Sequence, residues 1–188
     1  MIRFDHVTFG YGPGEDVLRD FSLDIPAGGR VCLTGPSGRG KTTALRLLLG
    51  LEQPRRGTVI RPEGVRFSVV FQEDRLLPWK TALENAALTG SAEDARCWLT
   101  ELGLGDSLDA LPETLSGGMR RRAALARALA HPFDVLVLDE ALTGLDDAAK
   151  ARCLAAIDRA VGPRKTLVMA CHDPAEAAAL AARTIPVA

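Results

Sequence analysis

The first 25 residues of the chain alternate between apolar and polar side chains. The alternation covers residues 2–25 and is broken by the glycine- and proline-containing segment 10–14. A period of two predicts strands that bury one face, and glycines beside a proline predict a turn. We therefore expect antiparallel strands joined by turns at the start of the chain.

Three later tracts follow a helical period instead. Residues 41–51 are apolar on almost every side, which predicts a helix that is buried against a sheet and ended by Pro54 and Gly57. Residues 81–103 place apolar side chains at helical spacing and predict a small helical lobe. Residues 116–130, rich in alanine after a basic start, predict a further helix.

Short apolar runs predict the remaining strands. They occupy residues 31–34, 65–71, 136–138 and 167–170. The last two contain no polar position, as expected for parallel strands that are covered on both faces. Together with the strand-then-helix order of the later chain, they predict an α/β fold whose mixed sheet is antiparallel at its N-terminal strands and parallel in its core.

Composition narrows the classes of partner. The chain has 188 residues, 47% of them hydrophobic and 25% charged, which suits one globular domain. A net charge of −1 gives no general attraction to nucleic acid, and the arginine run at residues 120–122 has no interleaved aromatic residues, so we expect no nucleic-acid partner.

Cysteine spacing and hydropathy suggest a location. The four cysteines are scattered without a Cys-x-x-Cys pair, which favours a reducing compartment over a zinc site or a disulfide framework. The N-terminus is charged too early for a signal peptide, and no apolar run approaches the roughly 20 residues that span a bilayer. We therefore expect a cytoplasmic protein that reaches a membrane only through a partner.

Residues 35–42, Gly-Pro-Ser-Gly-Arg-Gly-Lys-Thr, form a complete phosphate-binding loop between a predicted strand and a predicted helix. The glycines let backbone N–H groups point at phosphate oxygens, and the helix adds its positive N-terminal end. The lysine suits the β- and γ-phosphates, and the threonine hydroxyl suits Mg²⁺. The alternative is a glycine-rich turn that binds nothing. The predicted ATP-binding residues here are Gly35, Pro36, Ser37, Gly38, Arg39, Gly40, Lys41, Thr42 and Thr43.

Two carboxylates follow the apolar run 136–138. In α/β proteins ligands bind at the carboxyl ends of the parallel strands, where this pair is expected. We interpret Asp139 as a Mg²⁺ ligand and Glu140 as the general base that activates the attacking water. The alternative is an acidic pair that merely ends a strand at the surface.

The order of these motifs resembles the nucleotide-binding subunits of ATP-binding-cassette (ABC) transporters. The resemblance covers Val7 to about Ala178 and includes the sequence Leu-Ser-Gly-Gly at residues 115–118. It implies a phosphate-loop ATPase core, residues 1–72 and 131–188, and a helical subdomain at about 73–130. It also implies a head-to-tail homodimer that encloses two ATP molecules. In such a dimer Ser116, Gly117 and Gly118 would contact the γ-phosphate held by the other copy; alternatively, they are only a helix N-cap.

The resemblance also implies roles for four single residues. Gln72 would sense Mg²⁺ and the attacking water, and His172 would contact the γ-phosphate as a switch histidine. Tyr11 would stack on adenine, and Asp146 would communicate across the dimer. The alternatives are a polar residue at a strand end for Gln72, a structural histidine for His172 and a surface turn residue for Tyr11.

Residues 70–85 resemble, more narrowly, the importers of nitrate, alkyl sulfonates and taurine. The resemblance implies integral membrane permease subunits that receive Leu76, Leu77 and Trp79, with a solute-binding protein acting indirectly and the chain lying on the inner face of the cell membrane. These three side chains could instead pack the two lobes together. Little sequence follows His172, so we expect no regulatory C-terminal domain. Two further function classes remain open: a non-transport ABC ATPase acting on nucleic acid or ribosomes, and an ordinary phosphate-loop kinase.

Overall fold

A computed structural model describes residues 1–12 and 14–187 of the chain. Pro13, which belongs to the turn predicted at residues 10–14, lies outside the described residues. The strands within these residues are β1 Ile2–Phe9, β2 Leu18–Ile25, β3 Arg30–Thr34, β4 Arg56–Ile60, β5 Phe67–Val70, β6 Val135–Asp139, β7 Thr166–Ala170 and β8 Arg183–Pro186. The α-helices are α1 Lys41–Leu49, α2 Ala82–Ala86, α3 Ala92–Glu101, α4 Gly117–Ala130, α5 Asp147–Val161 and α6 Pro174–Ala179.

The N-terminal alternation forms an antiparallel sheet, as predicted. Its strand order is β2-β1-β4, with Ile2 opposite Ile25 and Arg3 opposite Ile60. One face of this sheet is buried. Phe4 and Ile25 are almost fully covered, and exposed residues stand between the buried ones along both β1 and β2. Strand β4 was not predicted, since its side chains are mostly exposed and carry no apolar alternation.

The core is a five-stranded parallel sheet in the order β5-β6-β7-β3-β8. Every residue of β6 and β7 is buried, which confirms the prediction from their unbroken apolar runs. The carboxyl ends of the strands meet at one edge, so the segments after β3, β5, β6 and β7 come together there. The fold class is therefore confirmed.

Helix α1 is buried as predicted but ends earlier than predicted. Gly50 adopts a left-handed conformation with φ 74°, and its N–H bonds the Leu47 carbonyl oxygen. The N–H of Leu51 bonds the Arg46 carbonyl oxygen, which completes a Schellman closure. Pro54 and Gly57 were therefore the wrong stop signals, because the helix is already closed at the glycine.

The tract at residues 81–103, predicted as a small helical lobe, contains the two helices α2 and α3. Thr81 caps α2 in a reciprocal capping box with Glu84, and Ser91 caps α3. These helices and α4 share a buried cluster that continues onto β5, β6 and β7. Within residues 1–12 and 14–187, no helix has the length and apolar character needed to cross a membrane. The proposed division at residues 73–130 stays a prediction.

Candidate active site

The loop between β3 and α1 requires glycine at two points. Gly40 precedes α1 with φ 92°, and Gly35 follows β3 with φ 143°. Both values lie in a region that side chains with a Cβ rarely adopt. A Cβ at Gly35 would also lie 2.7 Å from the Val187 carbonyl oxygen. The chain can therefore curl here only because these positions have no side chain.

Lys41 is held across this loop. Its side chain is only 4% exposed, and Nζ donates to the carbonyl oxygens of Gly35 at 2.8 Å and Pro36 at 3.0 Å. An ammonium group removed from water interacts strongly with a nearby anion, because the local dielectric is low. The loop thus presents a positioned positive charge beside its own N–H groups.

Thr42 and Asp139 bring two oxygen ligands together. The Thr42 hydroxyl donates to the Asp139 carboxylate at 3.0 Å, and burial raises the pKa of Asp139 against the opposing effect of that hydrogen bond. A buried carboxylate with an adjacent hydroxyl fits the hard oxygen chemistry that Mg²⁺ prefers. Among the residues that the structure describes, no group of three or more histidine, cysteine or acidic side chains could hold a metal ion alone. Thr42 and Asp139 are the residues here that could contribute to a magnesium site.

Glu140 occupies a strained backbone position directly after β6. Its φ is 50°, unusual for a residue with a long side chain, and its N–H bonds the Ala170 carbonyl oxygen. The His172 Nε2 and Glu140 Oε1 atoms lie 2.7 Å apart, with side-chain exposures of 43% and 16%. The two predicted catalytic side chains therefore contact each other at the open edge of the sheet.

The segment that carries His172 is anchored from α5. Lys150 forms ion pairs with Asp173 at 3.3 Å and with the buried Glu176 at 3.1 Å. Asp173 also caps α6 by accepting from the Ala175 N–H, and this bond together with Lys150 lowers the pKa of Asp173. His172 thus lies between the end of β7 and the start of α6, where Lys150 holds Asp173 and Glu176.

A cavity of about 430 Å³ joins these groups to the remaining predicted residues. Gln72, Thr43 and Tyr11 line it together with Lys41 and Glu140. The Tyr11 hydroxyl lies 3.2 Å from the Thr43 hydroxyl, and its ring, 61% exposed, is edge-on to Phe9. A neighbouring cavity of about 400 Å³ is lined by Ser37, Gly38 and Arg39. The structure therefore brings the phosphate loop, Gln72 and Tyr11 to one surface.

Four other predicted residues do not join this cavity. Ser116 accepts from the Met119 N–H and caps α4, with Gly117 exposed beside it. A Cβ added to Gly118 would lie 3.4 Å from Leu145, a residue of the segment before α5. Asp146 accepts from the Ala149 N–H and caps α5. Within one chain Ser116 and Asp146 act as helix caps, and Gly117 and Gly118 begin α4. The predicted roles of these four residues at a shared nucleotide stay predictions.

Two contacts near the site were missed from the sequence. Arg121 of α4 donates to the backbone carbonyl of Gln72 at 2.6 Å, and no spacing rule signals a guanidinium aimed at a distant backbone. The buried thiols of Cys32, in the middle of β3, and Cys171, directly after the neighbouring β7, lie 2.9 Å apart. This contact, with burial, raises the pKa of Cys32. Scattered spacing in the sequence had suggested no relation between these cysteines.

The exposed segment after Gln72 shows a mixed arrangement. Trp79 is 71% exposed, whereas Leu76 is half-buried and packs on the core of the helices. The fully buried Asn85 fixes the backbone between them by accepting from the Leu77 N–H and donating to the Leu77 and Lys80 carbonyl oxygens. Lobe packing therefore accounts for Leu76, and Trp79 is left on the surface.

Comparisons with known proteins give a consistent result. The sequence model of the family described as ABC transporter matches residues 18–143. The aliphatic sulfonates import ATP-binding protein SsuB 1 of Agrobacterium fabrum is 41% identical over 194 residues, covering 98% of this chain and 70% of that protein. The corresponding SsuB 1 protein of Paracoccus denitrificans is 42% identical, covering 95% and 74%. The SsuB protein of Burkholderia pseudomallei is longer, and the chain spans 58% of it.

The fold comparison points the same way. The ATP-binding cassette MJ0796, in a dimeric post-hydrolysis state bound to ADP and Pi, superposes with a TM-score of 0.89 and 28% identity. The match covers 100% of this chain and 94% of that one. The sequence and fold comparisons agree on the family. The chain therefore belongs to the ABC transporter family, as an ATP-binding cassette of the ATPase type that drives transport.

Proposed function

We propose that the chain is the ATP-hydrolysing subunit of an importer for a small sulfonate-like solute. It works as a homodimer bound to integral membrane permease subunits, on the cytoplasmic face of the membrane. One observation carries the proposal: Lys41, Asp139, Glu140 and His172 converge at one edge of the sheet, whereas the signature residues 116–118 of the same chain form the start of α4 elsewhere. A site built in two parts calls for a second copy.

Nucleotide binding is the task of the loop. The backbone N–H groups of residues 35–42 and the N-terminal end of α1 attract the phosphates, and Lys41 leaves its carbonyl partners for the β- and γ-phosphate oxygens. Tyr11 offers an exposed ring for the adenine base. Thr42, Asp139 and Gln72 would hold Mg²⁺, which when bound offsets the negative charge of the phosphates.

Hydrolysis depends on the contact between Glu140 and His172. Water forms a bond to the γ-phosphorus while the bond to the bridging oxygen breaks, and ADP leaves with that electron pair. Glu140 accepts the water proton, since this residue lines the cavity beside the loop. His172, 2.7 Å from that carboxylate, orients it and can donate to a γ-phosphate oxygen.

The second copy completes the site. Ser116, Gly117 and Gly118 stand at the N-terminal end of α4, where N–H groups attract an anion. In the homodimer they contact the γ-phosphate bound by the partner, and Asp146, close to Leu145 beside Gly118, relays that contact. ATP therefore stabilises the closed dimer, and loss of the γ-phosphate releases it.

The permease binds through the segment after Gln72. Trp79 is a large exposed anchor on a backbone held by Asn85, and aromatic anchors of this kind dominate many interfaces. The relatives are named as aliphatic sulfonate import proteins, which supports a solute of that class delivered by a solute-binding protein.

Capture of the native complex tests this proposal. The tagged chain is purified from detergent-solubilised membranes, and the associated proteins are identified by mass spectrometry. We expect a permease and a solute-binding protein with the wild type, and loss of the permease with Trp79→Ala at unchanged ATP binding. Recovery of ribosomes or nucleic acid without a permease would contradict the transport assignment.

A further inference from the structure

We propose that Arg121 is a positioning residue for ATP hydrolysis, acting by fixing the backbone of Gln72 to helix α4. The inference rests on the proposed function, because it concerns the same hydrolysis step. It adds a residue that contacts the backbone of Gln72, not its side chain, and that controls where Gln72 stands.

The guanidinium of Arg121 contacts three groups of the segment around Gln72. Its Nη1 donates to the carbonyl oxygens of Phe71 at 3.2 Å and Gln72 at 2.6 Å, and its Nε lies 3.3 Å from the Asp74 carboxylate. The side chain is only 16% exposed. The Arg121 side chain is therefore largely covered, and its contacts hold the backbone at the Phe71 and Gln72 carbonyl groups.

A second arginine of α4 continues the attachment. Arg127 donates from Nη1 to the Arg75 carbonyl at 2.7 Å and from Nη2 to the Asp74 carbonyl at 2.9 Å. Arg75 has a left-handed backbone with φ 47°, a strained conformation that persists only where neighbours hold it. The whole turn after β5 is thus bonded to one helix.

The segment needs such donors because of its irregular backbone. Residues 71–75 lie in neither helix nor strand, so their carbonyl groups need partners from elsewhere. A guanidinium carries five N–H donors in a rigid plane and can serve two carbonyls and a carboxylate together. Lysine has a single mobile ammonium and would hold the same set more loosely.

Position in the fold gives the contact its consequence. Gln72 lines the cavity with Glu140, and Arg121 lies on the helix that Ser116 caps. A shift of α4, as when its N-terminal end meets the nucleotide of a second copy, therefore carries the Gln72 backbone with it. Loss of Arg121 frees the backbone of Phe71 and Gln72 and the Asp74 carboxylate. It removes none of the contacts made by Lys41, Asp139 or Glu140.

The chain offers a closely matched control in Arg30. Its guanidinium also bonds one carboxylate, Asp158 at 2.5 Å, and two backbone carbonyls, Leu180 at 2.9 Å and Gly162 at 3.1 Å. Its side chain is 18% exposed, close to the value for Arg121. Arg30 begins β3, at the end of the sheet away from the phosphate loop. Removing it deletes similar bonds without touching Gln72.

The test compares steady-state ATP hydrolysis of the full chain as wild type, Arg121→Ala, Arg121→Lys and Arg30→Ala, with Tm and ATP binding measured alongside. A misplacement of about 1 Å can reduce rate about 10²-fold, so we expect kcat of Arg121→Ala to fall at least about tenfold. KM and ATP affinity should stay within about twofold, because the binding groups are untouched. Arg121→Lys should recover part of kcat, and Arg30→Ala should lower Tm while keeping kcat within about twofold.

A double variant separates positioning from folding. In a Gln72→Ala background, Arg121→Ala should have little further effect on kcat. Without the Gln72 side chain there is no longer a group whose position Arg121 controls. Additive losses, equal kcat losses in Arg30→Ala and Arg121→Ala, or unchanged kcat in both Arg121 variants would overturn the inference. If Arg121→Ala does not fold, Arg121→Lys carries the same comparison. A wild type that binds no ATP would instead refute the proposed function.

Discussion

The phosphate-loop edge of the sheet and the capped end of α4 are built in different ways. At the edge, Thr42 bonds Asp139 and Glu140 contacts His172, so side chains from separate parts of the chain already meet. At the end of α4, Ser116 bonds only within its own turn, and Gly117 beside it is exposed. The first region is preorganised by long-range contacts, whereas the second presents unsatisfied N–H groups outward.

In the proposed function, this difference accounts for a site that one copy leaves incomplete. Preorganised groups can bind ATP and supply a base without help, since they need no rearrangement of the backbone. The exposed helix end acquires a task only when an anion is brought to it from outside. Substitutions at the two regions should therefore separate chemistry and binding from dimer formation.

Glu140→Gln should give the largest effect at the preorganised edge. The amide keeps the shape but cannot accept the water proton, so we expect kcat for ATP to fall by about 10²–10⁴-fold with ATP binding retained. Glu63→Gln, an exposed residue far from the loop, is the control and should leave kcat unchanged. Wild-type turnover in Glu140→Gln would exclude Glu140 as the base.

Lys41→Ala should affect binding rather than chemistry alone. Loss of a charge-assisted hydrogen bond, about 1.5–3 kcal/mol, weakens ATP binding by roughly 10- to 100-fold. Titration calorimetry measures this change, with Lys165→Ala, at the opposite end of β7, as the control. An unchanged Kd for Lys41→Ala would count against the phosphate-loop assignment.

Gly117→Asp tests the exposed helix end. A Cβ at Gly117 would have 3.9 Å of room to Arg120, and an acidic first residue suits a helix N-terminus, so one copy should fold and bind ATP normally. Its carboxylate would repel the partner's γ-phosphate, and we expect hydrolysis to fall at least about tenfold. Equal activity would place this helix end outside the site.

Ser116→Ala should give the smallest effect on the protein. It separates helix capping, which Ser116 shares with Ser91, from the dimer contact proposed for Ser116 alone. Ser116 and Ser91 cap their helices with the same type of bond, at 3.2 Å and 2.9 Å. Each alanine variant should lower the free energy of unfolding by about 1 kcal/mol, as denaturant titration can show. Only Ser116→Ala should also weaken ATP-driven dimerisation. Equal dimerisation in both variants would reduce Ser116 to a simple cap.

The sequence predicted what depends on pattern and missed what depends on distant contacts. Strands β6 and β7 and the loop before α1 were found, because burial and phosphate binding impose local residue types. Strands β4 and β8 were missed, since edge strands with exposed side chains carry little apolar signal.

The site shows the same division. The sequence predicted that Glu140 directly follows a buried strand, but it did not predict the left-handed backbone of this residue. The bond from Arg121 to Gln72 joins residues 49 positions apart and has no signature in spacing. The hydrophobic and motif patterns of the sequence therefore did not predict where the Arg121 side chain lies in the fold.

The molar mass of Glu140→Gln with and without Mg-ATP tests the central claim most directly. Light scattering after size-exclusion chromatography should give the mass of one chain without nucleotide and twice that mass at saturating ATP. The double variant Glu140→Gln with Gly117→Asp should stay at one chain. If Glu140→Gln remains a single chain while calorimetry shows its nucleotide site filled, the two-copy site is contradicted.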